Sequence, residues 1–182
     1  MIFAETKLKG AFIIELEKVE DERGFFVRTF CQKEFEKHSL NPRIVQCNLS
    51  FNKKKGALRG MHYQVSPHEE AKLVSCIQGA IYDVIIDLRP DSPTYCQWFA
   101  IELTARCSLL TAHYKTLYIP EGFAHGFQTL EENTVVFYQM SWFYHPECAK
   151  GVRWNDPVFG IEWPDDVRAI SDRDQQFPNF VL

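Results

Sequence analysis

Short apolar segments separated by turn-forming residues recur along most of the chain. They are rich in β-branched and aromatic residues, a composition typical of β-strands. The segments are Gly10–Glu17, Gly24–Phe30, Arg43–Phe51, Lys72–Leu88, Trp98–Leu103, Thr116–Pro120 and Thr134–Phe143. The pattern is clearly helical only over Gln32–Ser39, and a second short helical turn fits near Asp172. Many short strands with few helices predict an all-β sandwich or closed barrel.

No linker, internal repeat or low-complexity stretch interrupts this pattern, so we expect residues 1–182 to form one domain. A chain of 182 residues is long enough to bury a sizeable core. Hydrophobic residues make up 46% and charged residues 24%, as in soluble globular proteins. Aromatic residues reach 14%, which favours a large core or an aromatic-lined pocket.

Charge and targeting signals exclude several classes of partner. The net charge is -4, so no overall basic field favours nucleic acid. The first residues lack the apolar run of a signal peptide, and no stretch approaches the roughly 18 apolar residues of a membrane span. The six cysteines form no C-x-x-C pair, which favours reduced thiols. We therefore expect a cytoplasmic protein without nucleic-acid or membrane partners.

Two histidine motifs carry candidate chemistry. In GALRGMHYQ, a regular strand would place His62 and Arg59 on opposite faces. In PEGFAH, the spacing P-x-G-x-x-H up to His125 resembles the second motif of cupin jelly rolls. Metal-dependent cupins supply an H-x-H pair in the first motif, but here the pair is His62-x-Gln64 and Lys72 follows. Catalytic transition metals usually need three such ligands, so we expect a jelly roll without metal whose cavity performs acid–base chemistry.

Five motifs extend this resemblance to a specific family. They are GALRGMHYQ, KLVSCIQGAIYDVIIDLRPDSPTY, LYIPEGFAHGF, GVRWNDPVFGIEWP and ISDRD. In this order they resemble the dTDP-4-dehydrorhamnose 3,5-epimerase family from about Phe12 to Pro178. The resemblance implies a homodimeric, cupin-like jelly roll (a double-stranded β-helix) that uses neither metal nor cofactor. It also implies inversion at C3, C5 or both of a nucleotide-linked 4-keto-6-deoxyhexose through an enolate.

The resemblance also implies four catalytic roles. His62 matches the base that removes the proton α to the ketone, and histidine titrates in the range that such a base needs. Asp174 matches the carboxylate that orients this histidine, although Asp172 competes for the role. Lys72 matches the residue that stabilises the enolate oxygen, and Tyr138 matches the proton donor on the opposite face. Each also has a structural interpretation: a core histidine with one satisfied hydrogen bond, a turn-capping aspartate, an edge-strand lysine or a core tyrosine.

Substrate contacts follow from the same resemblance. The matching residues are Arg23, Arg28, Gln46, Asn48, Arg59, His125 and Arg173. Arg59 would bind the diphosphate through charge-assisted bonds, whereas His125 contacts the substrate or is structural. Arg59 and His62 can serve one site only if Gly60 kinks or bulges the strand, so we predict an irregularity there.

Position 28 departs from the family pattern. The family usually has Glu where this chain has Arg28. The resemblance implies that this Glu accepts a hydrogen bond from the N3–H of thymine. Arginine only donates hydrogen bonds and suits the acceptors of cytosine better, which suggests a CDP-linked sugar as an alternative substrate. The segment Arg106–Lys115 is also longer than the family's usual turn. It either shapes the cavity mouth or forms a longer hairpin.

Two functions from other classes remain alternatives on sequence grounds. A metal-dependent cupin oxygenase would use His62 and His125 as ligands. A non-catalytic sugar-nucleotide binding protein would not require a base and an acid on opposite faces of the sugar. Dimerisation follows from the resemblance, and exposed edges of the N-terminal strands would allow Arg23 and Arg28 to reach the neighbour's cavity.

Overall fold

The structure is a computed structural model that describes residues 1–105 and 114–181. Within these ranges the chain forms thirteen β-strands and two short helices. Residues 106–113 lie outside the described residues, so the prediction for the Arg106–Lys115 segment stays a prediction. Neither described helix has the length or the apolar run needed to cross a membrane.

The elements have the following bounds. The strands are β1 (Ile2–Glu5), β2 (Phe12–Leu16), β3 (Lys18–Asp21), β4 (Gly24–Val27), β5 (Gln46–Asn52), β6 (Leu58–Gln64), β7 (Lys72–Gln78), β8 (Ala80–Asp87), β9 (Trp98–Thr104), β10 (Tyr114–Ile119), β11 (Phe123–Thr129), β12 (Thr134–Met140) and β13 (Ala149–Gly151). The helices are α1 (Gln32–Lys37) and α2 (Asp172–Gln175). The predicted helix at Gln32–Ser39 is confirmed, but it ends earlier because Ser39 has a left-handed φ of 57°.

Two antiparallel sheets form the body of the protein. The first has six strands in the order β1-β2-β10-β7-β12-β5, and the second has five in the order β13-β6-β11-β8-β9. Strands β3 and β4 form a separate hairpin. Many strands that are adjacent in a sheet are far apart in the sequence, as the long crossovers of a jelly roll require. The predicted all-β jelly roll is confirmed.

The main core cluster contains residues from both sheets. The six-stranded sheet contributes Val74, Leu117 and Val136, and the five-stranded sheet contributes Ile81, Ile85 and Leu103. All six are fully buried, and each such side chain stabilises the fold by about 1.5–3 kcal/mol. Because successive strand residues face opposite sides, Asp83 shares the inward face of Ile81 and Ile85. A carboxylate at that position needs a partner within the fold.

The two helices depend on contacts with the sheets and on capping. In α1, the buried Phe35 packs edge-to-face against Tyr118 with ring centroids 5.9 Å apart, which supports a helix too short to persist alone. In α2, the Ser171 hydroxyl accepts the Asp174 backbone N–H at 3.1 Å, a typical N-cap. The cap fixes the turn of helix that buries Asp174 and leaves Asp172 exposed.

Candidate active site

A cavity of about 380 Å³ opens between the two sheets, within the volume range of ligand sites. Strands β6 and β11 of the five-stranded sheet form one wall, and strands β7 and β12 of the six-stranded sheet form the other. The predicted site residues that line it are Arg59, His62, Lys72, His125, Tyr138 and Arg173. The fold therefore brings residues from distant parts of the sequence to one cavity.

A bulge in β6 lets Arg59 and His62 face the same cavity. Three steps along β6, from Arg59 to His62, match only two steps along the paired strand β11. One extra residue on one strand is a β-bulge, which reverses the alternation of side chains. Gly60 has a φ of 129°, and a Cβ there would lie 2.5 Å from the Gly126 Cα, so only glycine fits. The predicted irregularity at Gly60 is confirmed.

His62 is paired with a buried carboxylate. Its Nε2 lies 2.8 Å from Asp174 Oδ1, and the second oxygen of Asp174 accepts the Gly60 amide N–H at 3.1 Å. When Nε2 donates to this carboxylate, the lone pair of Nδ1 remains able to accept a proton. The His62 side chain is 42% exposed, so a ligand can reach it. Asp174, and not Asp172, is therefore the carboxylate that pairs with His62.

Opposing effects set the pKa of the Asp174 carboxyl. Burial raises this pKa, but the hydrogen bond and charge of His62, together with bonds from Gly60 and Ser171, lower it further than burial raises it. The net pKa lies below its ordinary value, so the carboxylate is ionised at neutral pH. A fixed negative charge at this distance favours the imidazolium that forms when His62 accepts a proton.

Tyr138 lies on β12, in the sheet opposite the one that carries His62. Burial raises the pKa of its phenol, and the charge of Arg59 offsets this only in part. The phenol therefore keeps its proton at neutral pH and is able to donate it. The cavity thus has a histidine on one wall and a protonated phenol on the other.

Lys72 lies on β7, a strand with neighbours on both sides, so the edge-strand interpretation of this lysine is wrong. It is 8% exposed, and its ammonium contacts Glu70 Oε1. In the pairing of β7 with β12, Lys72 lies opposite Met140, two residues from Tyr138, so Lys72 and Tyr138 share the inward face. Sequence reasoning missed Glu70, although its spacing of two from Lys72 indicates the same face.

His125 forms a second histidine–carboxylate pair at the cavity. Its Nε2 lies 2.8 Å from Asp83 Oδ1, and Asp83 is fully buried. Asp83 is two residues from Ile85, which is the residue directly opposite His125, so the contact is a diagonal cross-strand pair. Sequence reasoning missed Asp83, and its signal was a charged residue inside the apolar run of β8.

Two arginines line the cavity and are held in place by neighbours. Arg59 Nε donates to Asn52 Oδ1 at 2.7 Å, and Arg173 Nη1 donates to the Tyr144 hydroxyl at 3.3 Å. A guanidinium has five N–H donors, and each of these bonds uses one. Both side chains therefore retain the means to bind an anion bidentately.

Gln46 and Asn48 lie beside the cavity on β5. Asn48 is directly opposite Tyr138 in the β5–β12 pairing, so both amides are on the inward face of the sheet. Asn48 Nδ2 contacts Met140 Sδ at 3.6 Å, and Gln46 Oε1 accepts the Tyr144 amide N–H at 2.5 Å. Neither amide is among the residues that line the cavity, so their nucleotide contacts stay a prediction.

Arg23 and Arg28 do not reach the cavity of their own chain. Arg23 lies in the turn of the β3–β4 hairpin, where its guanidinium binds Asp21 and its side chain is 84% exposed. Arg28 follows β4 directly and is also exposed. Neither lines the cavity, so a contact between these residues and the nucleotide stays a prediction that requires a second chain.

In the part of the chain that the structure describes, the donors of a catalytic metal site are not assembled around the cavity histidines. Within residues 1–105 and 114–181, the group of three metal-ligating side chains with ligand atoms within 4.8 Å of one another consists of His68, Glu147 and Cys148. None of these lines the cavity. His62 and His125 each direct Nε2 to a carboxylate and belong to no such group, which disfavours the cupin oxygenase alternative.

Fold and site together define a class: a cupin-like jelly roll whose cavity has a carboxylate-paired histidine on one wall and a phenol on the other. The family model of dTDP-4-dehydrorhamnose 3,5-epimerase matches residues 5–181. The chain belongs to this family, which consists of enzymes. The resemblance read from the five sequence motifs is confirmed.

Individual relatives agree over nearly the full chain. The dTDP-4-dehydrorhamnose 3,5-epimerase of Methanothermobacter thermautotrophicus is 41% identical over 96% of this chain and 92% of its own. The enzyme from Elizabethkingia anophelis is 39% identical in sequence, and its crystal structure superposes with a TM-score of 0.91 over 99% of this chain and 96% of its own. The Bacillus anthracis enzyme, solved with TDP and PPi bound, is 38% identical, with a TM-score of 0.90 over 98% and 99% of the two chains.

Proposed function

We propose that the protein epimerises a dTDP-linked 4-keto-6-deoxyhexose at C3 and C5. One observation carries the proposal: His62, which is paired with Asp174, and the phenol of Tyr138 line the same cavity from opposite sheets. Inverting a carbon requires removal of a proton from one side of the ring and delivery of a proton from the other. Binding alone would need neither group, so this geometry also disfavours the non-catalytic alternative.

The first half of the reaction is proton removal. His62 accepts the proton α to the ketone, and the C–H electron pair moves into an enolate whose negative charge lies on the former ketone oxygen. Asp174 holds the ring and stabilises the imidazolium, which is acid–base help typically worth about 10²–10⁴ in rate. The Lys72 ammonium stabilises the enolate oxygen, as a preorganised cation does in an oxyanion hole.

The second half is proton delivery. Tyr138 donates its phenolic proton to the same carbon from the opposite wall, and the enolate electrons return to form the new C–H bond and the ketone. Burial holds the pKa of Tyr138 above its ordinary value, so the donor is loaded at neutral pH. Proton exchange with solvent then restores the tyrosine and the histidine. Side chains of this chain supply every group that the proton transfers need.

The relatives support dTDP as the nucleotide. The Legionella pneumophila enzyme, 35% identical with a TM-score of 0.87, was solved in complex with dTDP-4-keto-L-rhamnose. The CDP alternative depends on Arg28 alone, which does not line the cavity of its own chain and would meet a base only in the cavity of a partner. Arg59, which does line the cavity, would bind the diphosphate and does not discriminate between the bases.

We also propose that the active form is a homodimer. The β3–β4 hairpin exposes Val19 by 68% and Phe26 by 63%, and burying such side chains against a partner is favourable. The same hairpin carries Arg23 in its turn and ends next to Arg28. A partner packed there would place both arginines near a second cavity. A monomer mass measured by light scattering would contradict the homodimer. The cytoplasmic location of the protein also stays a prediction.

The function is tested by NMR with a dTDP-4-keto-6-deoxyhexose in D2O. The expected result is loss of the C3 and C5 proton signals together with formation of an epimerised product. A solved relative from Streptomyces bikiniensis, 30% identical, is a 3'-monoepimerase, so both carbons must be followed. Exchange at C3 alone would restrict the function to one centre, and absence of exchange at both carbons would refute it.

A further inference from the structure

Glu70 is a buried cavity residue that the proposed mechanism does not use. It is 6% exposed and lines the cavity next to Lys72. Its Oε1 contacts the Lys72 ammonium, but its Oε2 is buried and has no hydrogen-bond partner in the described part of the chain. An ionised carboxylate only accepts hydrogen bonds, and buried acceptors are normally satisfied. Glu70 thus lines the cavity and has a buried Oε2 acceptor without a donor.

We propose that Glu70 Oε2 accepts a hydrogen bond from a ring hydroxyl of the substrate sugar, while Oε1 positions the Lys72 ammonium. The inference rests on the proposed function, because it adds a contact to the same sugar. A neutral hydroxyl is the group that fits: Lys72 already balances the charge of Glu70, so a second cation is not required. The hexose carries hydroxyls as its ordinary donors.

The same pair orients the sugar. The ketone oxygen only accepts hydrogen bonds and becomes negative in the enolate, so it is attracted to Lys72 and repelled by Glu70. A hydroxyl donates to Glu70 and has no such conflict. Glu70 lies two residues before Lys72, the first residue of β7, and together the two side chains distinguish the ketone from its hydroxyl neighbours. Glu70 therefore contributes both to sugar binding and to the position of the enolate-stabilising cation.

Binding measurements with Glu70→Met, which has similar length but no acceptor, test the hydroxyl contact. Calorimetry compares dTDP with a dTDP-linked 6-deoxyhexose that lacks the ketone. We expect Glu70→Met to raise the Kd of the sugar nucleotide by roughly 10-fold or more, the typical effect of losing a hydrogen bond to a charged group. The Kd of dTDP should not change. The matched control is Glu69→Met, because Glu69 lines a separate surface recess with Arg43 and Trp142. Wild-type affinity in Glu70→Met, or an equal loss for both ligands, overturns the contact.

The Glu70→Gln variant separates the role of Glu70 in binding the sugar from its role in positioning Lys72. It also provides a test if Glu70→Met fails to fold. Its amide still bonds a hydroxyl but carries no charge to hold Lys72. We expect KM within about 3-fold of wild type and kcat reduced roughly 10-fold, since an amide bond to an ammonium is weaker than a charged pair. In a Lys72→Met background the kcat effect of Glu70→Gln should vanish. Unchanged kcat in Glu70→Gln, or the same loss with and without Lys72, overturns the positioning role.

Solvent-deuterium exchange by the wild type distinguishes a failure of the proposed function from a failure of the inference about Glu70. If the wild type does not exchange the sugar protons, the proposed function fails and the role of Glu70 fails with it. If the wild type exchanges and Glu70→Met binds the sugar nucleotide as well as the wild type, only the inference about Glu70 fails.

Discussion

Replacing Asp174 by Asn tests the orientation of His62 most sharply. The two carboxylate oxygens accept from His62 Nε2 at 2.8 Å and from the Gly60 amide at 3.1 Å. An asparagine has one acceptor oxygen, so its NH2 group must face one of these positions. If it faces His62, the ring must accept at Nε2 and carry its proton on Nδ1, which removes the lone pair that the reaction needs. We expect kcat to fall by about 10²–10⁴, the usual contribution of a positioned acid–base group.

Steady-state epimerisation and dTDP binding together measure this effect. The dTDP affinity of Asp174→Asn should match the wild type, because the diphosphate contacts are on other side chains. Asp172→Asn is the matched control: the same substitution on the same helix, at an exposed position, should leave kcat unchanged. A kcat of Asp174→Asn within a few-fold of wild type would refute the reasoning.

The same variant should change the pH dependence of stability. The folded pKa of Asp174 is below its ordinary value, which is about 3.9 for an unperturbed aspartate. The stabilisation is therefore complete above that ordinary value and is lost as the pH falls through the lowered pKa. In urea unfolding, the stability gap between wild type and Asp174→Asn should hold down to about pH 4 and narrow as the pH falls further. A gap that does not narrow below about pH 4 would contradict the pairing.

Three further predictions concern binding, packing and reactivity. Arg59→Lys should raise the Kd of dTDP about tenfold in calorimetry, since an ammonium lacks the paired donors of a guanidinium; a wild-type Kd would count against the diphosphate contact. Gly126→Ala should destabilise the fold by about 1–3 kcal/mol, because its Cβ would lie 2.6 Å from Met61 Sδ; an unchanged Tm would contradict the close packing. Burial raises the pKa of Cys76 to about 11, so iodoacetamide at pH 8 should modify the exposed Cys47 and spare Cys76; equal labelling by mass spectrometry would oppose this.

Local sequence signals predicted most of the sheets because alternation and turn residues act over a few positions. Strand β11 was identified only through its histidine motif, and strands β1, β3 and β13 were not among the predicted segments. The latter three contain four, four and three residues, too few for a period-two pattern, and β3 is mostly charged. Their strand conformation depends on pairing with β2, β4 and β6, which a single sequence does not display.

The bulge in the site was predictable because the expected roles of two side chains conflicted with regular strand alternation. Arg59 and His62 had to share a cavity although regular alternation separates them, and Gly60 between them allowed a bulge. Asp83 was missed because its contact with His125 depends on the register between β8 and β11. Glu70 was missed because a carboxylate just before a strand resembles a solvated turn residue. Arg23 and Arg28 do not line the cavity of their own chain, and their proposed contact with a partner's cavity involves a second chain, which strand patterns do not encode.

Solvent-deuterium exchange by two variants, His62→Asn and Tyr138→Phe, is the most direct measurement of the central claim that base and acid act from opposite walls. In D2O, Tyr138→Phe should still exchange the sugar proton, because His62 removes it and returns a deuteron to the same side, while inversion is lost. His62→Asn should neither exchange nor invert. Wild-type exchange by His62→Asn, or wild-type inversion by Tyr138→Phe, would show that the proton transfers use other groups.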